Sequence, residues 1–279
     1  MDSIPTSTQI QDVTYRIHET GALLARLYIP DEVSSSTKAI VSVHGGRWCD
    51  ETRLTNAVID QYLANLGIFV MAIDFRMPPL IRYPKSVADI HYAIGWLKEN
   101  APKYNLSPER VGGLGTSSGG HQLLLNMLCP NNPDWLDEPF LTHPTCDTSL
   151  AFGIACWPVT DPLARYHYAL KNQMTKHIES HHAFWSDEAQ MYLGSPHRIV
   201  ESGEATQLPP LLLIQGTSDI ILAPNMTSNF AKLYTQQGGE VTYKEFANQP
   251  HTFITKSPNE PASQEALAVI AQFIQSMNL

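Results

Sequence analysis

Cysteine is scarce in this chain. It has four in 279 residues, Cys49, Cys129, Cys146 and Cys156. They are scattered and show no metal or redox spacing, which excludes a disulfide framework as the organising device and leaves free thiols as the expectation. Charge is sparse as well: 16% of residues, with a formal net charge of −9. An acidic balance argues against nucleic acid or an anionic membrane as a main partner. No run approaches the ~18 apolar residues that would span a bilayer. Residues 1–10 have neither a basic start nor an apolar core, so no secretory leader is expected and the cytoplasm is the default location. Internal repeats, low-complexity tracts and dividing linkers are absent too. A single domain over residues 1–279 is therefore expected, with a small molecule as its partner and a homodimer as an open possibility.

What the chain does have is alternation. Residues 10–29 read as two strands around Glu19-Thr20-Gly21. Short, mostly apolar runs at residues 38–43, 68–74, 111–116, 150–157 and 211–215 read as further strands, and residues 241–246 as an edge one. Between them, Val58, Ile59, Tyr62, Leu63 and Leu66 have helical spacing, as do Val87, Ile90, Ile94 and Leu97. Residues 226–237 predict a helix stopped by Gly238-Gly239, and Leu267, Ile270 and Ile274 mark a C-terminal one. Strands alternating with helices of this length predict an α/β fold, a doubly wound and mostly parallel sheet covered on both faces. Two stretches break the alternation. Residues 129–148 are rich in Pro, Asp and Asn. Residues 161–208 are rich in His, Tyr and Trp, and are expected to form a cap-like insertion over the C-terminal edge of the sheet.

The tightest signal is Gly115-Thr116-Ser117-Ser118-Gly119-Gly120. It follows an apolar run and opens a helical pattern, the context of a nucleophile elbow, whose tight turn lifts a serine hydroxyl clear of the backbone. A serine hydroxyl is a weak nucleophile at neutral pH and needs a base, which in turn needs an orienting acid. Asp219 follows the strand at 211–215, and His251 follows the strand at 241–246. Ser117, Asp219 and His251 are in the serine–acid–histidine order that a doubly wound hydrolase requires, each just beyond a strand end. Asp161 is the rival acid, and a helix cap is the plainer role for Asp219. His44-Gly45-Gly46 follows the strand at 38–43. The N–H groups of Gly45, Gly46 and Ser118 are the candidate donors to an oxyanion. His177, His181 and His182 have i, i+4 spacing but lack the glutamate and third ligand of a zinc motif, so no metal is expected.

Together, His44-Gly45-Gly46, Asp74-Phe75-Arg76, the elbow, Asp219 and His251-Thr252-Phe253 resemble the α/β-hydrolase superfamily. Within it they are most similar to hormone-sensitive-lipase-like esterases, with arylformamidases sharing the His-Gly-Gly element. The resemblance runs from about residue 10 to the end. It implies an eight-stranded sheet, hydrolysis of a carboxylic ester or amide, and no cofactor. It also implies Ser117 as nucleophile, His251 as base, Asp219 as orienting acid, and Gly45, Gly46 and Ser118 as oxyanion donors. The sequence departs from that pattern in having Arg47 where a third glycine is usual and Ser118 where alanine is common. Arg47 is a candidate either for a substrate carboxylate or for an outward salt bridge. Trp48 and Trp157 are expected at the substrate pocket, ahead of Tyr166, Tyr168, Phe184 and Trp185. The leading expectation is a serine esterase for small to medium esters. Amide hydrolysis, a hydrolase-like cyclase or dehydratase, and a non-catalytic binding protein of the same fold are the rivals.

Overall fold

The computed structural model describes residues 8–135 and 147–279. Eight strands form one sheet: β1 (Thr8–His18), β2 (Gly21–Pro30), β3 (Ala39–Val43), β4 (Phe69–Ile73), β5 (Val111–Thr116), β6 (Gly153–Cys156), β7 (Leu211–Gly216) and β8 (Val241–Phe246). Their order is β1-β2-β4-β3-β5-β6-β7-β8. β1, β2 and β4 pair antiparallel, and every pairing from β4 across to β8 is parallel. The expected mostly parallel, eight-stranded sheet is therefore present. β3, β4 and β5 are buried along their whole length, as strands covered on both faces must be. β8 is largely polar and exposed, as an edge tolerates.

Ten α-helices accompany the sheet among the described residues: α1 (Ala57–Ala64), α2 (Lys85–Asn100), α3 (Ser118–Leu128), α4 (Pro162–Lys171), α5 (Thr175–Phe184), α6 (Glu188–Leu193), α7 (Pro196–Glu201), α8 (Met226–Gln236), α9 (Phe253–Lys256) and α10 (Pro261–Ser276). Side chains alternate across each strand, so the sheet has two cores. Val41, Val43, Leu211 and Leu213 face one, closed by Val87, Ile90 and Ile94 of α2 and by Phe230 of α8. Ile40, Leu212 and Ile214 face the other, closed by Ile59 and Leu63 of α1 and by Leu267, Ile270 and Ile274 of α10. The helical periods in the sequence correspond to these buried stripes.

Register decides where the chemistry collects. Val43 pairs with Gly115, Thr116 with Cys156, Cys156 with Ile214, and Gly216 with Phe246. The segments leaving β3, β5, β6, β7 and β8 thus emerge at one edge of the sheet. Helices α4–α7 fill the connection from β6 to β7, and α5 packs against the loop after β3 through Trp48 and Phe184. Of the other irregular stretch at 129–148, residues 136–146 lie outside the described residues, as does Cys146. Among the described residues, no helix is long and apolar enough to cross a membrane.

Candidate active site

β5 ends in Thr116, and the chain turns sharply into α3 at Ser117, which has φ 52° and ψ −119°. A non-glycine residue rarely adopts such a conformation, which costs on the order of 1–3 kcal/mol. The turn is held by backbone bonds on both sides: Ser117 N–H donates to Cys156 O, and the N–H groups of His121 and Val159 donate to Ser117 O. It also needs close approaches that only glycine permits. A Cβ at Gly115 would stand 2.7 Å from Gly120 Cα, and one at Gly119 would stand 2.1 Å from His44 O. The elbow helix and the loop after β3 are therefore in backbone contact.

The Ser117 hydroxyl donates to His251 Nε2 at 2.9 Å, and His251 Nδ1–H donates to Asp219 Oδ2 at 2.7 Å. The carboxylate fixes the imidazole tautomer, leaving Nε2 as the acceptor facing the serine. Asp219 is itself saturated. Its Oδ1 accepts from the N–H groups of Ile221 at 2.8 Å and Leu222 at 3.3 Å, and its Oδ2 accepts from Gln215 Nε2 at 2.9 Å. Burial pushes its pKa up, but the hydrogen bond and charge of His251, with Gln215 and the Ile221 N–H, outweigh burial and hold it below the ordinary carboxylate value. The two loops that carry acid and base are stitched together. Ser218 N–H donates to Gln249 O, Asn248 N–H donates to Thr217 Oγ1, and a Cβ at Gly216 would collide with Gln249 O at 2.2 Å. Asp161, the rival acid, caps α4 by accepting from Ala164 N–H at 3.0 Å.

The loop after β3 lies against the serine. A Cβ on Gly45 would stand 3.0 Å from Thr116 O and 3.2 Å from Ser117 Cβ, a tight fit, so the Gly45 backbone lies close against the serine. His44 stacks on Phe75, with ring centroids 4.3 Å apart, and its Nδ1–H donates to Gly45 O at 2.8 Å. Because C=O and N–H point in opposite directions across a peptide plane, holding Gly45 O turns the Gly46 N–H the other way. Ser118 is the first residue of α3, so its N–H has no acceptor within the helix. Gly46, Arg47 and Trp48 then take three successive positive φ angles of 97°, 56° and 65°, and Gly46 O accepts from Cys49 and Asp50 N–H. A glycine at position 47 would fit this left-handed turn without strain. Arg47 is held in it by an ion pair with Asp50, and Trp48 by full burial and by its N–H donating to Ser118 Oγ at 3.0 Å. Both departures from the lipase-like pattern thus meet in this one turn.

These groups border a cavity of about 690 Å³. Gly45, Gly46, Arg47, Ser117, Trp157 and His251 line it, joined by residues that sequence reasoning did not select: Glu51, Asn56, His177, Ile220, Ile221 and Lys256. Trp48 is a correction. It is wholly buried, stacked on Phe184 and edge-on to Trp185, and contributes nothing to the cavity wall. Burying so large a ring against others outweighs placing it at a wet wall. Tyr166, Tyr168, Phe184 and Trp185 are likewise not lining residues, and Trp157, whose ring centroid is 6.0 Å from that of His251, is the aromatic among the described residues that is. The three clustered histidines diverge. His181 is committed to the carbonyls of His177 and Pro162, His182 bonds Tyr166 OH, and His177 lines the cavity. Gln215 and the Arg53 partner of Asp74 were also missed, since neither stands in a recognisable motif.

Burial drives the pKa values of His44 and His121 down to about 4, only partly offset by their bonds to Gly45 O and Gly194 O. Both stay neutral in the folded state, while an unfolded chain protonates them near pH 6.5. Folded stability is therefore full above that pH and is lost as pH falls toward 4, by on the order of 3 kcal/mol for each histidine. Reversible melts should show Tm dropping by about 10 °C or more between pH 7.5 and 4.5. A flat Tm across this window would contradict the neutral, buried assignment.

A doubly wound sheet with a serine on a strained turn after its fifth strand, facing a histidine and a carboxylate, defines an α/β-hydrolase fold. The BD-FAE family model matches residues 26–234, about three quarters of the chain, and the chain belongs to that family. It is 25% identical to esterase LipC of Mycobacterium tuberculosis over 231 residues, which cover 80% of this chain and 55% of LipC. The chain spans about half the length of the curated relatives it matches. A hyperthermophilic esterase from Pyrobaculum calidifontis superposes with a TM-score of 0.78 at 20% identity, covering 96% of this chain and 83% of that one. Thermogutta terrifontis esterase 2 phosphorylated by paraoxon gives 0.77 at 20% identity, covering 97% and 94%.

Proposed function

We propose that the chain is a serine esterase for small to medium carboxylic esters, built as one hydrolase domain with α4–α7 as its cap. The observation that carries this reading is the unbroken relay from Ser117 Oγ through His251 to Asp219 at the wall of the cavity. Ser117 attacks the acyl carbon as its proton passes to His251 Nε2. Asp219 stabilises the resulting imidazolium, and the N–H groups of Gly45, Gly46 and Ser118 receive the oxyanion. His251 then protonates the departing alcohol. Water, activated by the same nitrogen, attacks the acyl-enzyme and releases the acid. The relay requires no cofactor. The esterase names of LipC and of the two solved structures support the reaction class.

The reading is tested with two reagents. The protein should hydrolyse p-nitrophenyl butyrate, and paraoxon should abolish that activity while releasing one p-nitrophenol and leaving one diethylphosphoryl group on Ser117 by peptide mass spectrometry. Continued hydrolysis with no adduct on Ser117 would reject an acyl-enzyme. Formanilide cleaved faster than the matched ester would move the reading to amides.

A further inference from the structure

Asparagine at the start of a helix ordinarily turns its side-chain oxygen back to accept from the first free N–H groups of that helix. Asn56 stands at this position before α1, and its side chain makes no such bond. Only its backbone carbonyl joins the helix, accepting from Ile59 and Asp60 N–H. The side chain, in a residue 1% exposed, points between two strand ends instead. Its Nδ2 donates to Ser42 Oγ and to Val43 O, both at 3.3 Å, and its Oδ1 accepts from the Thr116 hydroxyl at 3.0 Å. Both N–H bonds of the amide are thus used, and one carboxamide ties the end of β3 to the end of β5. The helix forgoes its side-chain cap, and the residue holds a tie across the sheet in its place.

The position of this tie connects it to the chemistry. Val43 pairs with Gly115, the last pairing between β3 and β5. Beyond it one chain enters His44-Gly45-Gly46, and the other passes through Thr116 into Ser117. Asn56 therefore bridges the two strands where their backbone pairing ends. The groups it holds abut the oxyanion donors. Val43 O is a carbonyl that a Cβ on Gly119 would meet at 2.4 Å, and Gly119 follows Ser118. Thr116 Oγ1 would lie 3.5 Å from a Cβ on Gly45. Asn56 and Thr116 both line the cavity beside Ser117. An oxyanion hole works only with its donors about 2.7–3.1 Å from where the charge develops. A small shift between the loop after β3 and the serine turn is thus felt in the transition state more than in substrate binding.

We propose that Asn56 is a positioning residue: its carboxamide sets the spacing between the Gly45-Gly46 loop and the Ser117 turn, and so the fit of the oxyanion hole to the transition state. The proposal rests on the esterase reading. Asn56→Leu, similar in size and unable to make any of the three bonds, should lower kcat for p-nitrophenyl butyrate by about 10- to 100-fold, with KM changed by less than about threefold. Thr116→Val should lower kcat about tenfold. Thr116→Ser, which keeps the hydroxyl, should stay within about twofold of the wild type. The double variant Asn56→Leu, Thr116→Val should be about as active as Asn56→Leu alone, because both changes cut the same tie. The ketone 1,1,1-trifluoro-2-hexanone reads the oxyanion hole directly. Ser117 Oγ bonds to its carbonyl carbon, the serine proton passes to His251, and the carbonyl π electrons become the oxyanion. Its inhibition constant should rise in each variant by about the factor by which kcat/KM falls. A merely structural role would lower the fraction of protein titrated by paraoxon and leave both that constant and kcat per titrated site unchanged, which would overturn the proposal. Losses that multiply in the double variant would overturn it too. If Asn56→Leu does not fold, the two Thr116 variants decide the matter, and a Thr116→Val equal to the wild type in kcat and in ketone inhibition would overturn the proposal. A wild type that neither hydrolyses the ester nor binds the ketone would defeat the esterase reading and the proposal with it. A wild type that does both, with Asn56→Leu matching it, would defeat the proposal alone.

Discussion

Ser117→Ala should lower turnover of p-nitrophenyl butyrate by at least about 10⁴-fold, with Tm unchanged to within a few degrees. The loss is large because nothing else in the relay can form an acyl-enzyme, and removing the nucleophile of such a triad leaves only the catalysis due to binding and the oxyanion donors. The fold should survive because the turn does not depend on the hydroxyl. Ser117 is anchored through its N–H to Cys156 O and through its carbonyl to His121 and Val159 N–H. Alanine keeps the Cβ and hence the same backbone strain at φ 52°. The hydroxyl's recorded hydrogen bond is to His251, which remains held by Asp219 when the serine is gone. Assays at matched enzyme concentration, beside thermal melts, check both halves. Near-normal turnover by a well-folded variant would remove Ser117 from the chemistry.

The sequence is legible where spacing and physics coincide. Fully buried parallel strands read as unbroken apolar runs, so β3 to β7 are located to within a few residues. Ser117 and Asp219 lie just past two such runs, β5 and β7, while His251 lies just past the polar edge strand β8, and parallel register brings those ends to one edge. The rest depends on side-chain directions that spacing does not encode. Trp48 follows three loop residues that line the cavity, Gly45, Gly46 and Arg47, yet it turns inward because three consecutive positive φ angles reverse the chain beneath it. Arg165 lies on a short helix whose other charged and polar residues suggest a solvent face. Its burial follows from the packing of α4 and α5 around Trp48, which no local pattern announces. Gln215 sits within a buried strand, and only the three-dimensional path of the loop after β7 brings Asp219 back to it. Short α9, directly after His251, also escaped the reading, since four residues are too few to show a period.

Asp219→Asn should cost about 10³- to 10⁴-fold in kcat while preserving the geometry, and the hydrogen-bond inventory says why. The carboxylate is acceptor-only, and all of its recorded partners donate: Ile221 and Leu222 N–H to Oδ1, Gln215 Nε2–H and His251 Nδ1–H to Oδ2. An asparagine must put an NH₂ at one of these two positions. At Oδ1 it would oppose two fixed backbone donors. At Oδ2 it would oppose Gln215, whose own carbonyl is taken by the Thr227 hydroxyl, and it would donate to His251 Nδ1. The second arrangement disturbs side chains only, so it is the one the site should adopt. His251 then carries its proton on Nε2, facing Ser117 with a donor where a base is required. The imidazolium also loses its counter-charge. Asp219→Glu, which keeps the charge and displaces it by one methylene, should retain more activity than the isosteric asparagine. If asparagine matches the wild type, His251 does not need Asp219 to set its tautomer, and the relay would be a structural coincidence. The distinguishing measurement is the kcat of both variants across pH, with melts at each pH to exclude unfolding.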